Sequence, residues 1–229
     1  MHKITFPLSN LPRRYQVIKV LENEFRNEIL VLHVLDELRS HEFILKASLL
    51  PLPSGYTCGA LEERRRYAIL GGAFYPNIYD QDTIQDRETD HKDAEQWGWF
   101  TMEKLGGPTL LELVRSSADI SQVEAVLVGV IKAVHHAYKN NIVVRDLNPR
   151  NIFLTSRGTR LVDLNQSMTH PVLQRVPFLS SPDMDPSHAA DELKPLPNCT
   201  IHDIIANVNQ LRGSKLLFLE LVEKAALLA

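Results

Sequence analysis

Val144-Arg145-Asp146-Leu147-Asn148-Pro149-Arg150-Asn151 is a polar run between apolar flanks, and Asp163 follows seventeen positions after Asp146, closing a second apolar run, Leu161-Val162. A carboxylate, a carboxamide five residues on and a second carboxylate meet in one pocket if the chain between them is a hairpin. Ile152-Phe153-Leu154 and Arg160-Leu161-Val162 supply the two short β-type runs such a hairpin needs. Asp and Asn oxygens suit a hard divalent cation held together with substrate phosphates, which leaves the other Asp to orient or deprotonate a hydroxyl.

Working outward, Ser121 and Glu124 form a capping-box pattern at the head of a long helix ending near Lys139, with Val123, Leu127, Val130, Ile131 and Val134 at helical spacing. Thr109 and Glu112 give the same pattern for a short helix to about Ser116, and Gly106-Gly107-Pro108 breaks the aromatic strand Trp97–Glu103 that precedes it. Trp97 and Trp99 are expected to pack within that strand. Further upstream, Tyr15–Leu21 reads as a strand. Phe25, Ile29, Leu32, Leu35 and Leu38 then predict a helix over 22–39, with Glu28 at the margin of its apolar stripe. Arg64–Leu70 reads as a short strand. Residues 80–96 carry seven acidic and two basic side chains and one aliphatic, Ile84, and are expected to form a solvated acidic insertion. Downstream, six prolines between 171 and 198 predict an irregular segment. Thr200 and Asp203 open a helix closed by Gly213, and 215–228 reads as a terminal helix.

The loop resembles the catalytic loop of the eukaryotic-type protein kinases, His-Arg-Asp with Asn five residues after the Asp. The resemblance implies that Asp146 is the catalytic base and Asn151 a metal ligand. Asp163-Leu164-Asn165 is similar to the Asp-Phe-Gly triplet, which makes Asp163 the other Mg²⁺ ligand. Val17-Ile18-Lys19-Val20 resembles the Val-Ala-Ile-Lys strand, so Lys19 is expected to hold the ATP phosphates and Glu28 to pair with it. Met102, Glu103 and Leu105, around Lys104, resemble the hinge that receives adenine. The fold implied is α+β and bilobal. A small antiparallel-sheet N-lobe with one helix would span 1–104, and a shortened, mainly helical C-lobe 105–229, with catalytic loop 144–151 and triplet 163–165. The function implied is an ATP- and Mg²⁺-dependent phosphotransferase acting on a protein Ser or Thr hydroxyl. A pseudokinase that binds nucleotide or scaffolds a partner without turnover is the alternative, and a small-molecule kinase of related fold stays open.

Several departures bear on that choice. No Gly-x-Gly-x-x-Gly precedes Lys19, and only 18 residues lie upstream of it. Val144 stands for the signature His, Asn148 for the Lys that neutralises the transferring phosphoryl group, and Asn165 for a Gly whose left-handed backbone Asn tolerates. Arg145 is expected to neutralise Asp163 or to anchor a phosphorylated segment. Only 66 residues follow Asp163, and no Ala-Pro-Glu lies among them. A net charge of −3 removes the basic footprint expected of a nucleic-acid or anionic-membrane partner. Cys58 and Cys199, too few for a disulfide framework, are expected to be packed thiols in a reducing compartment. No apolar run reaches the ~20 residues of a membrane span, and residues 1–14 lack a secretory core, so cytoplasm or nucleus is expected. Oligomeric state is left open.

Overall fold

The computed structural model describes residues 8, 11–24, 29–50, 59–85, 96–169 and 199–227. Five antiparallel strands form one sheet in the order β1-β2-β3-β5-β4, from β1 (Tyr15–Glu24), β2 (Ile29–Asp36), β3 (His41–Leu50), β4 (Ile78–Gln85) and β5 (Gln96–Glu103). Leu32 and Val34 of β2, Phe43, Leu45 and Ala47 of β3, and Trp97 and Trp99 of β5 are buried in a common core cluster. The two tryptophans, two positions apart on β5, share one face of the sheet, as the period of a strand requires.

The predicted helix over 22–39 is therefore a correction: residues 29–36 are β2. Its inward residues are Leu30, Leu32, Val34 and Asp36, a period of two, while Val31, His33 and Leu35 on the other face are half-buried. Apolar side chains on both faces of a short strand imitated a helical stripe. The second correction is Arg64–Leu70, which belongs to helix α1 (Ala60–Leu70). The buried stripe of α1 is Ala60, Glu63, Tyr67 and Leu70, helical in spacing but with a carboxylate where an apolar residue is usual. The third is the acidic segment: Asp80–Gln85 belong to β4, paired along β5, and 86–95 lie outside the described residues.

Chain contacts group the residues into two compact units, Met1–Ala68 with Asn77–Lys104, and Ile69–Pro76 with Leu105–Ala229. The second unit is built on α3 (Ile120–Lys139), whose Val123, Val126, Leu127, Val130, Ile131 and Val134 are buried. Asp119, rather than Ser121, caps α3, its side chain accepting the Ser121 N–H. Around α3 lie α2 (Leu110–Arg115), α4 (Ile201–Arg212) and α5 (Phe218–Leu227). Capping boxes at Thr109/Glu112 and Thr200/Asp203 open α2 and α4, and Gly213, at φ 61°, closes α4 in the left-handed conformation. Two small ladders complete the unit: β6 (Ile142–Val143) with β9 (Met168–Thr169), and the hairpin of β7 (Ile152–Thr155) with β8 (Gly158–Leu161). Gly129 of α3 lets that hairpin approach closely, since a Cβ there would stand 2.1 Å from Thr159 Oγ1. No helix among the described residues is long and apolar enough to cross a membrane.

Candidate functional site

In the first unit, Lys46 of β3 and Glu63 of α1 form an ion pair, Nζ to Oε2 2.8 Å, with side chains 7% and 0% exposed. Ser48, two residues on and hence on the same face of β3, accepts the Ala60 N–H at 2.8 Å. That bond fastens the first turn of α1 to the strand carrying Lys46 and brings Glu63, one turn later, over the ammonium. A charged pair inside an apolar strand–helix contact costs desolvation that apolar residues of the same size would avoid.

Lys46 and Glu63 make a strand–helix Lys–Glu pair, and the sequence reading expected such a pair at Lys19 and Glu28. Lys19 lies exposed on β1 opposite His33, and Glu28 is outside the described residues. Two signals pointed to Lys46: Phe43-Ile44-Leu45-Lys46 is as apolar before its lysine as Val17-Ile18-Lys19, and enough chain precedes it for two strands. Those strands exist as the antiparallel pair β1 and β2, and the sequence carries no glycine between 15 and 36. At the end of β5, Glu103 accepts from Asn77 N (3.3 Å) and Nδ2 (3.1 Å), Met102 is buried, and Lys104 pairs with Glu42.

In the second unit, the β7–β8 hairpin brings the ends of the quoted stretch together. Val162 N donates to Asn151 O at 2.9 Å, and Asn151 Nδ2 lies 3.5 Å from Asp163 Oδ2. Asp163 has φ 65°, a left-handed backbone in which Asp and Asn are the commonest non-glycine residues; Asn165, where the sequence led one to expect that conformation, is outside it. With the Asn151 amide rotated, its oxygen and the Asp163 carboxylate form a hard-oxygen set that fits Mg²⁺. Asn148 accepts the Arg150 N–H at 3.0 Å and caps the short 3₁₀ turn Pro149–Asn151, so the residue standing for the phosphate-neutralising Lys shapes the loop. Arg145 Nη1 donates to Met168 Sδ at 3.4 Å across the β6–β9 ladder. Leu147 N donates to Cys199 O at 3.2 Å, and burial followed by the neighbouring Asp146 carboxylate pushes the pKa of the Cys199 thiol up to about 12. Cys199 is thus placed against the loop, where the sequence suggested only a packed thiol. A separate apolar cavity of about 570 Å³ lies between α3, α5 and the hairpin, and Asp146, Asn151 and Asp163 are not among its lining residues.

No protein-family model matches the chain. It is 32% identical over 85 residues to a probable serine/threonine-protein kinase, PknB, of Bifidobacterium longum, covering 36% of this chain and 12% of that protein. It is 29% identical over 77 residues to a probable serine/threonine-protein kinase of Streptomyces coelicolor, covering 33% of this chain and 11% of that one. The chain spans about a tenth of the length of these relatives, and over the matched third it is kinase-like.

Proposed function

We propose that the protein is an ATP- and Mg²⁺-dependent phosphotransferase of the protein-kinase type, acting on a Ser or Thr hydroxyl of a protein. The observation that carries this reading is the buried Lys46–Glu63 ion pair on β3 and α1. Glu63 holds the Lys46 ammonium in one place, and Lys46 binds phosphate oxygens of the nucleotide. Met102, Glu103 and Leu105 stand where the family receives adenine. Asn151 and Asp163 offer oxygens to Mg²⁺, which when bound neutralises the charge that develops on the phosphates. Asp146 accepts the proton of the acceptor hydroxyl or orients that hydroxyl for attack. Phosphate transfer to a generic protein substrate tests the reading. Lys46→Met and Asp163→Ala are each expected to lower the rate by at least about 100-fold, an effect of the size that removing one positioned electrostatic group has; rates equal to wild type in both would refute it.

A pseudokinase is the second reading, and two observations favour it. The β1–β2 hairpin carries no glycine to bring backbone N–H groups onto phosphates, and Asn148 is engaged in a cap where a cation is usual. Saturable Mg²⁺·ATP binding with no transfer in the same assay would decide for it.

A further inference from the structure

The cavity of about 570 Å³ between α3, α5 and the β7–β8 hairpin lies apart from the groups assigned to phosphate transfer. Its α3 side runs from Ser121 to Lys132, and a rise of about 1.5 Å per residue makes that side about 16 Å long. Between those ends α3 lines it with Ala125, Val128 and Gly129, and the hairpin and α5 add Leu154 and Leu227. Leu227 is 85% exposed, so the cavity leaves apolar surface in water that an apolar ligand would cover. The ionic groups are ordered along the same axis. At one end Glu124 of α3 pairs with Lys224 of α5. At the other stands Lys132, and the chain from Ala125 to Arg145 holds no Asp or Glu. Among the described lining residues two lysines therefore stand against one glutamate, with the positive excess at the Lys132 end.

We propose that this cavity binds a medium-chain fatty acid, the acyl chain lying along Ala125, Val128, Leu154 and Leu227 and the carboxylate at the Lys132 end. The volume falls among those of small-molecule sites, about 300–1,000 Å³. The apolar length suits an extended chain of about twelve carbons, whose burial supplies the driving force. The positive excess of the lining matches one carboxylate, while the charges of Glu124 and Lys224 at the far end balance each other. A neutral head group gains nothing from that excess, and a cationic one is repelled by it. Such binding is independent of phosphate transfer.

Calorimetric titration of the full chain with dodecanoate, below its micelle-forming concentration, is the test. Saturable binding is expected, at least about tenfold tighter than octanoate, because each buried methylene strengthens binding several-fold. Dodecanol is expected to bind about threefold more weakly than dodecanoate, and dodecyltrimethylammonium at least about tenfold more weakly. Ala125→Trp fills the cavity from α3, and Leu227→Asp sets a carboxylate on its α5 side. Both positions are exposed, so neither variant removes a core contact. Each is expected to weaken dodecanoate at least about tenfold. Lys132→Glu is expected to weaken dodecanoate about tenfold and dodecanol by no more than about twofold, whereas Lys132→Arg keeps both within about twofold of wild type. Absence of saturable dodecanoate binding, or affinity unchanged in both Ala125→Trp and Leu227→Asp, overturns the site. Equal affinity for the three head groups, or equal loss of dodecanoate and dodecanol in Lys132→Glu, overturns the carboxylate's place at Lys132.

Discussion

Lys46 and Glu63 set a conflict between stability and use at the scale of single residues. Removing one member of a buried pair strands the other charge, so Lys46→Met is expected to cost about 3 kcal/mol. Lys46→Met with Glu63→Leu is expected to recover most of that loss, because an apolar pair replaces the ion pair in the same space. Urea unfolding of the two variants checks the order, and a double variant as unstable as the single one would contradict it. Arg160 of β8 is a related case. Its residue is 4% exposed, and its Nε and Nη1 atoms have no hydrogen-bond partner among the described residues. Burial, followed by the charge of Arg157, pulls its pKa down. Arg160→Met keeps the chain length and removes the stranded charge, and it is expected to stabilise the protein by about 1 kcal/mol in the same experiment.

At the scale of elements, packing of the β7–β8 hairpin on α3 positions Asn151 and Asp163. Alanine normally gains roughly 0.5–1 kcal/mol over glycine inside a helix. At Gly129 the added Cβ meets Thr159 Oγ1 at 2.1 Å and its Cβ at 2.5 Å, so Gly129→Ala must push the hairpin outward. Overpacking of that kind costs about 1–3 kcal/mol and outweighs the propensity gain. A lowered melting temperature is expected; an unchanged or raised one would contradict the close contact. At one end of the large sheet, Asp80 of β4 accepts from Tyr15 Oη at 2.6 Å and ion-pairs with Arg14 at 2.8 Å and Arg39 at 2.6 Å. Burial raises its pKa, but the Arg39 and Tyr15 hydrogen bonds and the two arginine charges outweigh it and hold the carboxyl below its usual range. A depressed folded-state pKa contributes stability that is present above about pH 4 and is lost as pH falls through the folded value. Asp80→Asn is therefore expected to melt lower than wild type at pH 7, with the gap closing toward pH 2.5; a gap constant with pH would count against the network.

The elements also show what could be read from the chain alone. Two of the three expected capping boxes, the long helix, its end near Lys139 and the β7–β8 hairpin were legible because local hydrogen bonding and apolar periodicity set them. β2 and α1 were not, and for opposite reasons. β2 carries apolar residues on both faces, which blurs a period of two. α1 puts Glu63 on its buried stripe, which spoils a period of 3.6. Lys46 and Glu63 went unread with them, since each is found only through a partner seventeen positions away on another element.

For the whole molecule, the ion pair lies at Lys46 and Glu63, on β3 and α1. The antiparallel strands β1 and β2 precede the strand that carries the lysine, and β2 pairs with it. The first unit then carries the cation and its carboxylate, and the second carries Asp146, Asn151 and Asp163. The mildly negative net charge adds no general attraction for an anionic ligand, so under the proposed function that attraction falls to positioned groups such as Lys46. Equilibrium titration with a fluorescent ATP analogue in the presence of Mg²⁺, comparing wild type, Lys46→Met and Lys19→Met, tests this most directly. Saturable binding by wild type and Lys19→Met, with affinity at least about tenfold weaker for Lys46→Met, is the predicted result. Equal affinity for Lys46→Met and wild type, or loss of binding on replacing Lys19 instead, would contradict it.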